Sequence, residues 1–156
     1  MIETQTATKS APKSSDIAFQ RCLNIDCRST YSVAEVLTAC PKCGDLLDVA
    51  YEWDRVNLPN KLADFQAMWT RRNEPIRFSG VWRFHELLQY APAEKIVTAG
   101  EGQTLLQQAN SLARYVGMKP GNLYLQYEGM NPSGSFKDNG MCAAFTHAHM
   151  IGAKRA

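Results

Sequence analysis

Two cysteine pairs constrain this chain more than any other feature: Cys22-x4-Cys27 and Cys40-x2-Cys43, twelve residues apart. Pairs at such spacings, each brought round by a short hairpin, set four thiolates within tetrahedral reach of one zinc ion. Cys40-Pro41-Lys42-Cys43-Gly44 is the stronger half, because Gly44 gives the permissive backbone that lets amides point at the cysteine sulfurs. The first pair is looser than the usual two-residue spacing. A structural zinc ribbon is therefore favoured over an empty ribbon, and both over a disulfide framework, since five cysteines without a secretory signal fit a reducing, cytoplasmic setting. A closed set of four sulfurs leaves no open coordination position, so an ion held there is structural rather than catalytic.

The second constraint lies near the other end. Leu123 to Tyr127 alternates as a strand does, Gly129 to Gly134 is rich in turn residues, and a helical pattern follows with Met141, Ala144, Phe145, Ala148 and Ile151 at spacings of three and four. Ser135 with Asp138 three residues on reads as a capping box that starts this helix at Phe136. Lys137 then falls in the first turn of a helix that follows a strand, the position where open α/β sheets hold ligands. Partial positive charge on the backbone there, with partial burial between Phe136 and the apolar helix face, favours a neutral, nucleophilic amine. The competing reading is an ordinary surface lysine.

The run Asn131-Pro-Ser-Gly-Ser-Phe-Lys137-Asp-Asn-Gly-Met141 resembles the pyridoxal-phosphate lysine motif of threonine synthases, which are fold-type II (tryptophan synthase β-like) enzymes. Upstream, Gly100-Glu101-Gly102-Gln103-Thr104-Leu105-Leu106 is similar to that family's Glu-Gly-x-Thr-Pro-Leu segment, with Leu105 where proline is usual. The resemblance covers Phe19 onward. It implies an α/β fold in which a zinc-ribbon-like module precedes the first part of a fold-type II domain. It implies that Lys137 is catalytic and binds pyridoxal 5′-phosphate as a Schiff base, with Ser133, Gly134 and Ser135 in close approach to cofactor or substrate. Cys22, Cys27, Cys40 and Cys43 would be the metal ligands, a ribbon of this sort being present in some members. The implied reaction is that of a carbon–oxygen lyase in threonine biosynthesis, turning O-phospho-L-homoserine and water into L-threonine and phosphate, in a homodimer. Two alternatives stay open: a dehydratase or cysteine-synthase-like relative, and a non-enzymatic protein whose zinc ribbon is the working part.

The family's substrate-carboxylate loop, its glycine-rich phosphate cradle and a partner for the pyridine nitrogen are not found in the sequence, which has nineteen residues beyond Lys137. The expectation is a truncated N-terminal fragment, inactive alone. Its parts are a disordered tail over 1–16, the ribbon over 17–53, a linker over 54–59 and the incomplete catalytic segment over 60–156. Within the last, Leu62 to Arg72 predicts a helix with Phe65, Met68 and Trp69 inward. Trp82 to Tyr90 predicts a second, closed by Ala91-Pro92. Gln107 to Gly117 predicts a third, with Leu112, Tyr115 and Val116 inward and Gly117 as its stop. His85 lacks a ligand at useful spacing, His147 and His149 point to different sides of their helix, and Cys142 reads as a small buried residue. A net charge of +2, no basic run with interleaved aromatics and no long apolar stretch give no sign of nucleic acid or membrane.

Overall fold

A computed structural model describes residues 17–155, so the expected tail lies outside the described residues. The chain divides after Asn57 into two compact units.

The first unit is a three-stranded antiparallel sheet in the order β2-β1-β3, with β1 at Ala18–Cys22, β2 at Thr30–Ser32 and β3 at Leu47–Tyr51. Arg21 pairs with Thr30 on one side of β1 and Cys22 with Leu47 on the other. Alternation places Ala18, Gln20 and Cys22 on the inner face of β1. Gln20 is buried because its amide donates to the carbonyls of Ser32 (2.7 Å) and Glu35 (2.9 Å), which ties the turn after β2 to the central strand. The large apolar side chains Leu23, Ile25, Val36 and Leu46 are all exposed.

The second unit holds α1 (Leu62–Ala67), α2 (Pro75–Phe78), β4 (Leu105–Gln108), α3 (Asn110–Tyr115), β5 (Tyr124–Tyr127) and α4 (Lys137–Met150), with 3-10 turns between them. The expected first helix is α1 continued by a 3-10 turn over Met68–Arg71. Its half-buried residues are Phe65, Met68 and Trp69, as the spacing predicts. Phe65 meets Phe84 at 5.6 Å between ring centroids, and the Arg83 guanidinium lies 4.8 Å over Trp69. The second segment is 3-10 rather than α, spans Trp82–Leu87 and kinks at Phe84. Trp82 is fully buried and donates from Nε1 to the Val97 carbonyl at 3.1 Å. Arg77 and Glu86, both largely buried, pair at 2.6 Å.

Three expectations are corrected here. Gln107 and Gln108 end β4 instead of starting a helix, because they pair with Leu125 and Tyr124 of β5. In the shorter α3 the buried residue is Ala113, whereas Leu112, Tyr115 and Val116 are exposed. Gly117 does stop the helix: at φ +77° it lets its own N–H reach Arg114 and that of Met118 reach Ala113. Third, α4 turns its predicted stripe outward. Met141 and Phe145 are exposed, and the face that packs carries Cys142 and Thr146. Polar contacts decide this orientation, since the Thr146 hydroxyl accepts from Val97 N at 2.8 Å and the Tyr90 hydroxyl donates to the Ala143 carbonyl at 2.9 Å. Among the described residues no helix is long and apolar enough to cross a membrane.

Candidate functional site

In the first unit the four cysteine sulfurs of the two pairs lie within 4.8 Å of one another. Cys22 and Cys43 stand 3.4 Å apart, and Cys27 and Cys40 3.8 Å. A tetrahedron with Zn–S bonds of about 2.3 Å has edges of roughly 3.8 Å, so this cluster could hold one zinc ion. Local chain geometry makes the cluster. Gly44, at φ +81°, closes the second knuckle with its N–H on the Cys40 carbonyl at 2.8 Å, the conformation expected of that glycine.

Donors aimed at sulfur surround the cluster. Tyr31 Oη lies 3.3 Å from Cys40 Sγ, and with N–H groups of Lys42 and Cys43 it brings the Cys40 thiol down to about 6. Ser29 does the same for Cys27 from 3.3 Å, its hydroxyl first and its backbone N–H next, and that thiol too is lowered. Cys22 is pushed up to about 12, foremost by burial. Hydrogen bonds of this kind favour the thiolate form that a zinc ion requires of its ligands.

In the second unit the structure brings together the two motifs that stand thirty residues apart in sequence. Gly102 N donates to Asn131 Oδ1 at 2.7 Å, joining the Glu101-Gly102 turn to the start of the lysine loop. Gly80 packs on the same turn, its N–H on the Glu101 carbonyl at 2.7 Å. Glu101 is wholly buried. Its carboxylate accepts from Ser79 Oγ, from Thr98 Oγ1 at 2.7 Å and from Ala99 N at 3.1 Å. Burial alone would raise its pKa, but these hydrogen bonds outweigh burial and hold it below the usual carboxylate range. Cys142, beside it, is buried as expected, and burial first, then the Glu101 charge, push its thiol up to about 12.

The depressed Glu101 pKa fixes a sign. Its stabilising contribution is complete above the unfolded value of about 4.3 and is lost as pH falls through the lower folded value. Glu101→Gln is expected to be less stable than the parent near neutrality and to show a shallower loss of stability on acidification, in denaturant titrations across the acid range. An acid limb as steep as the parent's would mean that other carboxylates carry it.

Lys137 is the first residue of α4, but the cap differs from the expected box. Phe136 is already helical, Ser135 Oγ accepts from Lys137 N at 3.2 Å, and Asp138 reaches back to Ser133 instead. The Asp138 carboxylate accepts from both Ser133 N, at 2.7 Å, and Ser133 Oγ, and the two bonds lower its pKa, the hydroxyl foremost. The expected burial of Lys137 is also corrected. Lys137 and Phe136 are both exposed, with Nζ 5.6 Å from the centre of the Phe136 ring. Next to this loop lies an open cavity of about 380 Å³, lined among others by Thr98, Glu101, Ser133, Asp138, Met141 and Phe145.

This arrangement fits one end of a pyridoxal phosphate and not the other. The amine is open to a carbonyl compound. The nearby donors are spent within the loop, Ser133 N and Oγ on Asp138 and Gly134 N on the Asn131 carbonyl at 2.8 Å, so they form no phosphate cradle. Sequence reasoning missed Ser79 and Thr98, and gave Asn131 a place in the lysine motif but no role of its own. Only contacts across the fold reveal them. His85 is half-buried with Nδ1 3.2 Å from the Trp82 carbonyl, and His149 Nδ1 lies 3.0 Å from that of Lys95.

No protein-family model matches the chain. It is similar to curated threonine synthases: 38% identical over 133 residues to that of Methanocaldococcus jannaschii, covering 85% of this chain and 29% of the relative. The match to the Methanosarcina acetivorans protein is 38% over 129 residues, 82% of this chain and 28% of the relative. A shorter stretch of 59 residues, 38% of this chain and 15% of the relative, is 44% identical to the Synechocystis threonine synthase. Over most of its length this chain is thus related to the threonine synthases, and it spans less than a third of the length of the first two of these relatives.

Proposed function

We propose that this chain carries the ribbon and the lysine segment of a threonine synthase, with Lys137 as the residue that binds pyridoxal 5′-phosphate and O-phospho-L-homoserine as the substrate. The observation that carries the reading is the junction of the two motifs through Gly102 and Asn131, which places an exposed amine at the start of α4. When bound, the cofactor supplies an electron sink for charge developing on the substrate carbon. Lys137 Nζ supplies a nucleophile for attachment and, when released, a base that accepts and returns protons. Gly134 and Ser135 lie in the loop just before it and would make the close approach to cofactor or substrate. Ser133 would join them, although its N–H and hydroxyl are engaged by Asp138. With those donors engaged, the chain by itself is expected to attach the cofactor without turning over substrate. In the other unit, Cys22, Cys27, Cys40 and Cys43 hold a structural zinc ion.

The test is to mix the purified chain with pyridoxal phosphate, reduce with borohydride and map the modified lysines by mass spectrometry. Label concentrated on Lys137 and absent in Lys137→Ala is the expected result. Equal labelling of Lys137 and the exposed Lys42 and Lys119 would overturn the reading, because it would make Lys137 one surface amine among several.

A further inference from the structure

Asn131 is a buried side chain, 4% exposed, whose two ends serve different parts of the second unit. Its Oδ1 accepts from Gly102 N at 2.7 Å, while its Nδ2 donates to the Glu128 carbonyl at 3.0 Å and to Glu128 Oε2 at 2.7 Å. The other carboxylate oxygen of Glu128 accepts from Gln126 Nε2 of β5 at 2.6 Å, and that same nitrogen lies 3.1 Å from Thr104 Oγ1. Only a primary amide satisfies both demands at this position. An aspartate would set a carboxylate against Glu128, and a leucine would strand the Gly102 N–H and leave the Glu128 carbonyl and carboxylate without this donor.

From Asn131 the chain has little slack before Lys137. Gly134 N returns to the Asn131 carbonyl, and Ser133 is held by Asp138, so the segment between is closed on itself at both ends. A shift of Asn131 therefore moves the lysine with it. We propose that Asn131 is a positioning residue for Lys137: it ties the lysine loop to the Glu101-Gly102 turn and thereby sets the position and reactivity of the amine. This rests on the reading of Lys137 as the cofactor lysine.

The variants are Asn131→Asp, Glu128→Gln and the two combined. The combination again faces a donor with an acceptor at the 128 side chain, with the roles exchanged, while the Glu128 backbone carbonyl still loses its donor. Two readouts on the full chain separate the proposal from the reading beneath it. One is the ratio of borohydride-trapped pyridoxal phosphate on Lys137 to that on Lys42 and Lys119. The other is the pH profile of Lys137 modification by trinitrobenzenesulfonate, which needs no cofactor. Asn131→Asp is expected to lower the ratio about tenfold, the effect of one buried donor–acceptor pair lost, and to displace the pH profile, with the double variant recovering part of both. Should Asn131→Asp fail to fold, Glu128→Gln alone is expected to shift both readouts in the same direction by less.

An unchanged pH profile and label ratio in a folded Asn131→Asp protein would overturn the proposal, and so would a double variant no better than the single. A parent chain without selective label on Lys137 would overturn the cofactor reading instead. The trinitrobenzenesulfonate profile still decides whether Asn131 sets the amine.

Discussion

Stripping metal from the chain with a strong chelator is expected to unfold residues 17–57 while the second unit keeps its own transition. The reason is the composition of the first unit's interior. Among the described residues its buried side chains are Ala18, Gln20, Cys22, Cys40 and Ala50, with no large aliphatic or aromatic residue among them. An interior of two alanines, a glutamine and two thiols buries too little apolar surface to hold so small a unit folded without a further tie. A structural zinc ion contributes an apparent 10–16 kcal/mol at neutral pH in small zinc modules, and for this cluster that binding energy would be folding energy. Cys40→Ser is expected to act like the chelator, because Cys40 combines a buried sulfur with hydrogen bonds from Tyr31 and the knuckle amides. Amide NMR dispersion of residues 17–57 with and without metal reads the outcome. A first unit that stays dispersed without metal would show that hydrogen bonding in its sheet is enough, and the cluster would lose its structural role.

Gly102→Ala is expected to cost the second unit about 2–4 kcal/mol, the range for overpacking added to backbone strain. Gly102 lies at φ +79°, and a β-carbon there would stand 2.7 Å from the Gly80 Cα. The clash is reciprocal: at Gly80 the added carbon would meet the Gly102 Cα at 2.6 Å and the Glu101 carbonyl oxygen at 2.8 Å. Backbone atoms cannot swing aside as a side-chain tip can. The same region also carries the Gly102–Asn131 bond, so the variant is expected to lose its preference for label on Lys137 even where it remains folded. Gly134→Ala is the control. Gly134 has a similar φ of +75°, but its added carbon meets nothing within 4 Å, so the cost falls to about 1 kcal/mol. Equal stability losses in the two variants, by denaturant titration, would show that conformation and not close approach makes Gly102 indispensable.

These two regions differ in how much the sequence disclosed. The cysteine spacing was enough for the cluster because metal-ligand geometry is local: each pair is carried by one turn, and Gly44 takes the backbone angle that its turn requires. The strand before the lysine loop was legible from its alternation, and Phe65, Met68 and Trp69 from their spacing. The orientation of α4 was not. Its apolar residues form a regular stripe, yet Thr146 and Cys142 face inward because Val97 N and the Trp82 region supply partners that no periodicity encodes. Gln107 and Gln108 misled for a related reason. Both have helical propensity, and pairing with β5 overrides it. Asp138 fitted a capping box by spacing alone, but Ser133 offered it two donors and Ser135 did not.

The ladder of β4 and β5 has a consequence of its own. All eight of its residues are exposed, so it is a two-stranded ribbon with little packing to hold it, and such ribbons are marginal in water. Glu128, the anchor of Asn131, follows directly on β5, and Gln126 of β5 holds the Glu128 carboxylate. On warming, the ribbon is the part of this unit to fray first, ahead of the fourteen-residue helix α4. The lysine loop would then lose its anchor while the helix is still intact: the temperature up to which Lys137 keeps its place would be set by two short strands.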